Sequence, residues 1–185
     1  MNRGRYEYHK DGQPLGVQEW FSIDGVLTES AQVRSERVSP NGVRISVDAS
    51  LERGLVRDAA VTIEVGDFSK VARFSAEPRG ALIFPLLRIF QGAVISAVAA
   101  TGSRSVLIPY IADPTDPARV LEPTVEYRSA SLVALDSSNG IRTYTYEGSV
   151  YDDRARFQIR ESDLVLVSYT FPQGESILTV QHVES

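Results

Sequence analysis

The sequence predicts an all-β fold, a curled antiparallel sheet or flattened β-barrel with one short helix near residues 85–91. Three observations predict it. Strand-like stretches separated by turn residues recur at about ten-residue spacing, as in sandwiches and barrels. Between Val43 and Leu51 apolar and polar residues alternate strictly, with Val43, Ile45, Val47, Ala49 and Leu51 on one side and Arg44, Ser46, Asp48 and Ser50 on the other. Such a period of two marks a half-buried strand. Finally, a turn-strand unit occurs twice, as Ser39-Pro40-Asn41-Gly42-Val43-Arg44 and as Ser137-Ser138-Asn139-Gly140-Ile141-Arg142. Asn-Gly supplies the positive φ angles of a tight hairpin turn. The 185 residues suit one domain over 1–185, and the echo suggests two related halves, 1–100 and 101–185.

The elements follow in order. Tyr6-Glu7-Tyr8 opens as a strand, Asp11-Gly12-Gln13-Pro14 turns it, and Gly16 to Ile23 returns. Asp24-Gly25 turns again, and Val26 to Val38 continues with weaker alternation. After the strand over Val43 to Leu51, the stretch from Leu55 to Val65 keeps Val61, Ile63 and Val65 in phase. Gly66-Asp67 turns into a short strand from Val71 to Ser75. The rhythm changes at Pro78-Arg79-Gly80. Leu82, Leu86, Ile89 and Phe90 have helical spacing, and proline is tolerated in a first helical turn, so a helix fits from Pro85 to Gln91 with Gly92 ending it. Val94 to Ala100 reads equally as strand or helix. Pro109, Pro114, Pro117 and Pro123 stiffen the next stretch, which suits a lid or a connection between halves. Thr124 to Leu135, Ile141 to Val150, Arg154 to Arg160, Leu164 to Phe171 and Ser176 to Val183 then read as a meander.

Composition narrows the function classes. A hydrophobic content of 43% is that of a globular chain, which at this length buries roughly 70% of its unfolded surface. A net charge of −5 argues against a nucleic-acid binder, which needs a concentrated positive face. The basic residues are nearly all arginine, which reads either as codon bias of a GC-rich bacterial genome or as forks for carboxylate or phosphate. Without cysteine there are no disulfides, thiolate metal sites or cysteine nucleophiles. Met1 to Lys10 carries no apolar h-region, so a full-length chain would be cytoplasmic. The apolar run Ala81 to Ala100 contains Pro85, Arg88, Gln91 and Gly92, and reads as buried protein with no membrane span.

No nucleophile elbow, dinucleotide fingerprint or Walker loop is present, and no cofactor is expected. No metal site is expected either: His9 and His182 are the two histidines, and both read as surface or edge-strand residues. Asp152-Asp153-Arg154 reads as a charged turn, with a cation site as the sharper alternative. The tyrosines are more informative, because Tyr110, Tyr127, Tyr144, Tyr146, Tyr151 and Tyr169 all fall in the second half. Tyr144 and Tyr146 share one strand face. If Tyr127 and Tyr169 join it, the rings form a wall for an amphipathic ligand with hydroxyls to orient it. Cross-strand tyrosines also stabilise sheets without any ligand. Trp20 reads as a core anchor or a pocket wall. The ligand-binding candidates are therefore Trp20, Tyr110, Tyr127, Arg142, Tyr144, Tyr146 and Tyr169. Glu126, beside Tyr127, is the candidate acid or base, because a carboxylate in an apolar barrel has a raised pKa.

Tyr6-Glu7-Tyr8…Gly16-Val17-Gln18-Glu19-Trp20-Phe21, the middle apolar block, and Leu164-Val165-Leu166-Val167-Ser168-Tyr169…Pro172-Gln173-Gly174 together resemble bacterial β-rich domains of the DUF3108-like group. Their shape is similar to the lipoprotein-carrier and calycin-like half-barrels. The resemblance is a strand layout over most of the chain and implies a β-rich shell without assigning any functional residue. Three functions are consistent with these readings. One is binding of a lipophilic or amphipathic small molecule in a barrel cavity. Another is a cofactor-independent cyclase, isomerase or hydratase acting on a polyketide- or terpenoid-like substrate. The last is a structural or protein-interaction module. The composition leaves a homodimer open.

Overall fold

The computed structural model describes residues 2–77, 80–148 and 151–184. Pro78 and Arg79, where the rhythm changes, and Ser149 and Val150, at the end of one expected strand, lie outside the described residues. The chain forms a mostly antiparallel sheet wrapped into a nearly closed barrel, as the sequence predicts. A first meander contains β1 (Asn2–Lys10), β2 (Gln13–Val26), β3 (Ser30–Val38), β4 (Arg44–Glu52), β5 (Leu55–Val65) and β6 (Phe68–Ser75). There follow a two-residue strand β7 (Leu82–Ile83), a 3-10 turn over Arg88–Phe90 and the helix α1 (Gln91–Ala99). The second meander contains β8 (Ser103–Pro109), β9 (Pro123–Asp136), β10 (Ile141–Glu147), β11 (Arg156–Arg160), β12 (Leu166–Gln173) and β13 (Ser176–Glu184).

The order across the sheet is β6-β5-β4-β3-β2-β1-β13-β12-β11-β10-β9-β8-β7. The first and last long strands therefore join the two meanders, with Tyr6 opposite His182 and Tyr8 opposite Val180. At the far end β7 lies against β5, bringing the two ends of the sheet together. Alternation decides which face is inside. Val43 and, on β4, Ile45, Val47, Ala49 and Leu51 are all buried, as their period of two requires.

The expected elements include no strand over Ser103–Pro109, where the structure has β8. Its partner β7 runs parallel to it, with Leu82 opposite Val106 and Ile83 opposite Leu107. Parallel neighbours cannot be joined by a hairpin and need a crossover. That crossover is the 3-10 turn and α1, which packs on the inner side of β9 and against β5 and β8. The helix starts later than expected and runs through Val94–Ala99. Gly92 lies inside it instead of ending it, because the carbonyl of Leu164 approaches that point too closely for any side chain. Gln91, Gly92, Ala93, Val94, Ile95 and Val98 are buried, so apolar residues surround the helix as they do in a core element. No described helix is long and apolar enough to cross a membrane.

The proline-rich connection from β8 to β9 is anchored at its far end. Val120 and Leu121 insert into the core, and the Lys70 ammonium on β6 donates to the Pro117 carbonyl at 3.3 Å. The two Asn-Gly turns also differ from expectation. Positive φ falls on Gly42 (81°) and Gly140 (63°) and on neither asparagine. Gly42 N–H closes onto the Ser39 carbonyl at 2.9 Å, while Asp136 accepts from the backbone N–H groups of Ser138 and Asn139. The asparagines therefore sit in turns that side chains help to hold, and only the glycine needs the left-handed region. The first turn joins β3 to β4, the third and fourth strands of their meander. The second joins β9 to β10, the second and third of theirs.

Candidate functional site

A cleft of about 430 Å³ opens where the C-terminal end of α1 faces β9, β10 and β11. Ala99 and Ala100 of the helix end form one side. Leu132, Tyr144 and Ile159 rise from the strands opposite, and Leu164 closes the cleft from the β11–β12 turn. Arg142 and Glu161 stand at the rim and share a hydrogen-bonded ion pair. The Arg142 Nε is buried and has no hydrogen-bond partner among the described residues. Apolar walls with a few convergent polar groups and a volume of a few hundred Å³ are the usual make-up of a small-molecule site. The β9–β10 hairpin leaves Leu132, Val133 and Leu135 about half exposed, so it extends past the cover that α1 provides.

Two of the sequence-derived candidates, Arg142 and Tyr144, meet in this cleft. Tyr144 begins an interior row that crosses five strands: Tyr144, Phe157, Tyr169, Val180 and Tyr8, each opposite the next and each buried. Tyr169 stacks on Phe157 with ring centroids 5.1 Å apart. Tyr146 meets Phe157 edge-on at 5.7 Å, and Tyr151 meets Tyr146, Phe157, Tyr169 and Phe171. The inner aromatic wall thus contains Tyr144, Tyr146 and Tyr169. Tyr127 is not in it: the residue is 70% exposed on the outer face, where its hydroxyl bonds Ser103 Oγ at 2.5 Å. Tyr110 lies in the proline-rich connection beneath the Arg119 guanidinium, 4.2 Å from its ring centroid.

Trp20 also points outward and is 42% exposed, which removes the core-anchor reading. Strand phase explains it, since Glu19, Phe21 and Ile23 take the inner positions of β2. On the outside Trp20 borders a shallow groove of about 420 Å³ with Arg34, Glu36 and Asp48. Glu126 faces inward beside Arg128, which is 4% exposed, and the two form an ion pair. Arg128 also donates to the Gly148 carbonyl and lies over the rings of Tyr146 and Tyr151. Asp152 accepts from the Arg154 backbone and guanidinium, which hold its carboxyl below the usual carboxylate range. His182 is an interior residue of a central strand, with Tyr6 and Phe21 rings 5.6 and 5.5 Å away. Burial lowers its pKa, and the Arg160 charge adds to this.

The structure reveals a second polar cluster, around Glu19 and Arg88. Glu19 is 1% exposed. One of its oxygens accepts from the Tyr8 hydroxyl, and the other accepts from the Arg88 backbone N–H at 2.5 Å. Burial pushes the Tyr8 hydroxyl well above the ordinary phenol range, and the Glu19 charge adds to it, so Tyr8 stays a donor. The Arg88 guanidinium lies 5.0 Å from the Tyr169 ring centroid and 5.9 Å from that of Tyr8. Its Nη1 donates to Gln91 Oε1 at 3.0 Å. Burial pushes the Tyr169 hydroxyl up to about 12, against the opposing field of Arg88. The sequence carried a signal for Glu19, because Val17-x-Glu19-x-Phe21-x-Ile23 places it in phase with apolar neighbours.

No family model matches the sequence, and no curated protein matches it. Among solved structures, the chain is similar to a DUF1089 family protein from Pseudomonas aeruginosa, with 16% identity and a TM-score of 0.50 over 83% of this chain and 89% of that one. It is also similar to a beta-barrel-like protein of the domain of unknown function DUF1849 from Brucella abortus, with 9% identity and a TM-score of 0.45 over 99% and 95% of the two chains. At 16% identity the first likeness speaks for the β-rich fold alone.

Proposed function

We propose that this protein binds a lipophilic or amphipathic small molecule in the cleft between the end of α1 and the β9–β11 strands. The observation that carries the reading is the joining of apolar walls with a rim arginine. Ala99, Ala100, Leu132, Ile159 and Leu164 offer contact to an apolar body, while Arg142 and Tyr144 offer orientation at one end. The enzyme alternative with Glu126 as acid or base has less support, since Arg128 already engages that carboxylate.

The test uses 1-anilinonaphthalene-8-sulfonate, an aromatic anion of suitable size, titrated into the purified protein. The expected result is a saturable fluorescence rise at one probe per chain. Ala100→Trp fills the cleft from an exposed position and should weaken that binding about tenfold or more, the loss expected when over 1.4 kcal/mol of contact is removed. Probe binding equal in the wild type and in Ala100→Trp would contradict the site. The exposed Leu132, Val133 and Leu135 would then stand as a protein-contact surface instead.

A further inference from the structure

The charges around Glu19 do not balance. Its cross-strand neighbour on the inner face is Arg37, directly opposite on β3. Arg37 continues the inward phase of Ala31, Val33 and Ser35 and is half-buried. Among the described residues it has no ion pair and no hydrogen bond. Arg88 is the second cation. A small part of it reaches solvent, but its Nε is fully buried and unpartnered. Arg37 stands opposite Glu19 in the strand pair, and Arg88 donates its backbone N–H to the Glu19 carboxylate, so both arginines border that one carboxylate. Glu19 is the carboxylate that touches this cluster, and both of its oxygens are already engaged.

One further donor lies beside them. Gln91 is 1% exposed, and its side-chain Nε2 is buried without a partner, although its Oε1 accepts from Arg88. Gln91 is also the first residue of α1, and its own N–H is taken by the Arg88 carbonyl of the preceding 3-10 turn, so its side-chain amide is the donor left over. A buried donor left unpaired costs about 1–3 kcal/mol, so the orphaned Arg88 Nε and Gln91 Nε2 call for an acceptor. Two guanidinium groups and an amide donor are a strong match for negatively charged oxygen.

We propose that Arg37, Arg88 and Gln91, at the N-terminus of α1 inside the barrel, form a binding site for an oxyanion, either a carboxylate or a phosphate group. The site is separate from the cleft at the other end of α1, since nine residues of helix rise about 13 Å. It does not depend on the cleft binding anything.

The probes are inorganic phosphate, acetate and butyl phosphate, each titrated calorimetrically into the intact protein at constant ionic strength with chloride as the reference anion. The expected result is saturable binding of phosphate or acetate at one per chain. Arg37→Gln should weaken it about tenfold or more, the loss of one charge-assisted hydrogen bond. Arg37 is half-buried and unpaired, so this variant should fold. Arg88→Lys serves as a second variant, which keeps the charge but loses the fork. Arg34→Gln, at an exposed arginine on the outer face of β3, should leave oxyanion binding unchanged, which separates the effect of Arg37→Gln from a general loss of positive charge. Butyl phosphate binding more tightly than phosphate would assign the site to the head of an amphiphile, and equal binding would assign it to a free oxyanion. No saturable binding, or equal binding by wild type and Arg37→Gln, would overturn the proposal and leave the orphaned donors to ordered water.

Discussion

Replacing Gly92 by alanine is expected to cost about 3 kcal/mol, the upper range for forcing an extra group into a packed core. A Cβ at this position would lie 2.0 Å from the Leu164 carbonyl oxygen and 3.2 Å from the Leu166 backbone nitrogen. Both contacts are backbone atoms, so no side-chain rotation relieves them. Leu164 itself has a φ of 60°, held by its N–H bond to the Arg160 carbonyl at 2.9 Å. The turn between β11 and β12 and the helix α1 must therefore separate together. For a chain of this size, a loss of about 3 kcal/mol lowers Tm by roughly 6–12 °C. Thermal unfolding followed by far-UV circular dichroism measures it, with Ser96→Ala on the same helix as the mild control. A Tm for Gly92→Ala within about 2 °C of wild type, a shift worth under 1 kcal/mol, would show that α1 does not lie against this turn.

Glu19→Ala should have an effect of similar size for a different reason. The substitution removes two hydrogen bonds and leaves the Tyr8 hydroxyl and the Arg88 backbone N–H without their acceptor. It also removes a carboxylate whose charge acts on the Arg88 guanidinium. An uncompensated buried polar group or charge costs about 3 kcal/mol, discounted here for the part of Arg88 that reaches solvent. Glu19→Gln keeps an acceptor and should lose only about half as much. Urea unfolding of both variants tests the order: Ala much less stable than Gln, and Gln less stable than wild type. Equal stability of all three would mean that Glu19 does not hold the 3-10 turn inside the barrel.

These two residues show how unevenly the sequence speaks. Strand phase is a local property, so β5 appears with its observed bounds and the buried side of β4 is legible residue by residue. The phase set by Phe21 and Ile23 on β2 also carries an inward Glu19 and an outward Trp20, against the expectation of Trp20 as a core anchor or pocket wall. Arg88 has no such signal. It lies in an irregular connection between Leu87 and Ile89, where no periodicity assigns a face. The parallel pairing of β7 with β8 involves only two residues of β7 and depends on a helix crossing the barrel interior. The joining of β1 to β13 depends on closure of the whole sheet. Neither leaves a mark within a short stretch of sequence. In the candidate cleft, Arg142 and Tyr144 were legible as strand residues. Ala99, Ala100 and Leu164 were not, because what brings them together is the close approach at Gly92.

Native mass spectrometry of the full chain, before and after denaturing extraction, tests most directly whether the barrel holds a small molecule. The binding account predicts a stoichiometric extra mass that denaturation releases as a lipophilic or amphipathic compound, and that is lost from Ala100→Trp. A bare chain mass in the wild type, unchanged when the protein is incubated with an extract of lipophilic small molecules, would contradict it.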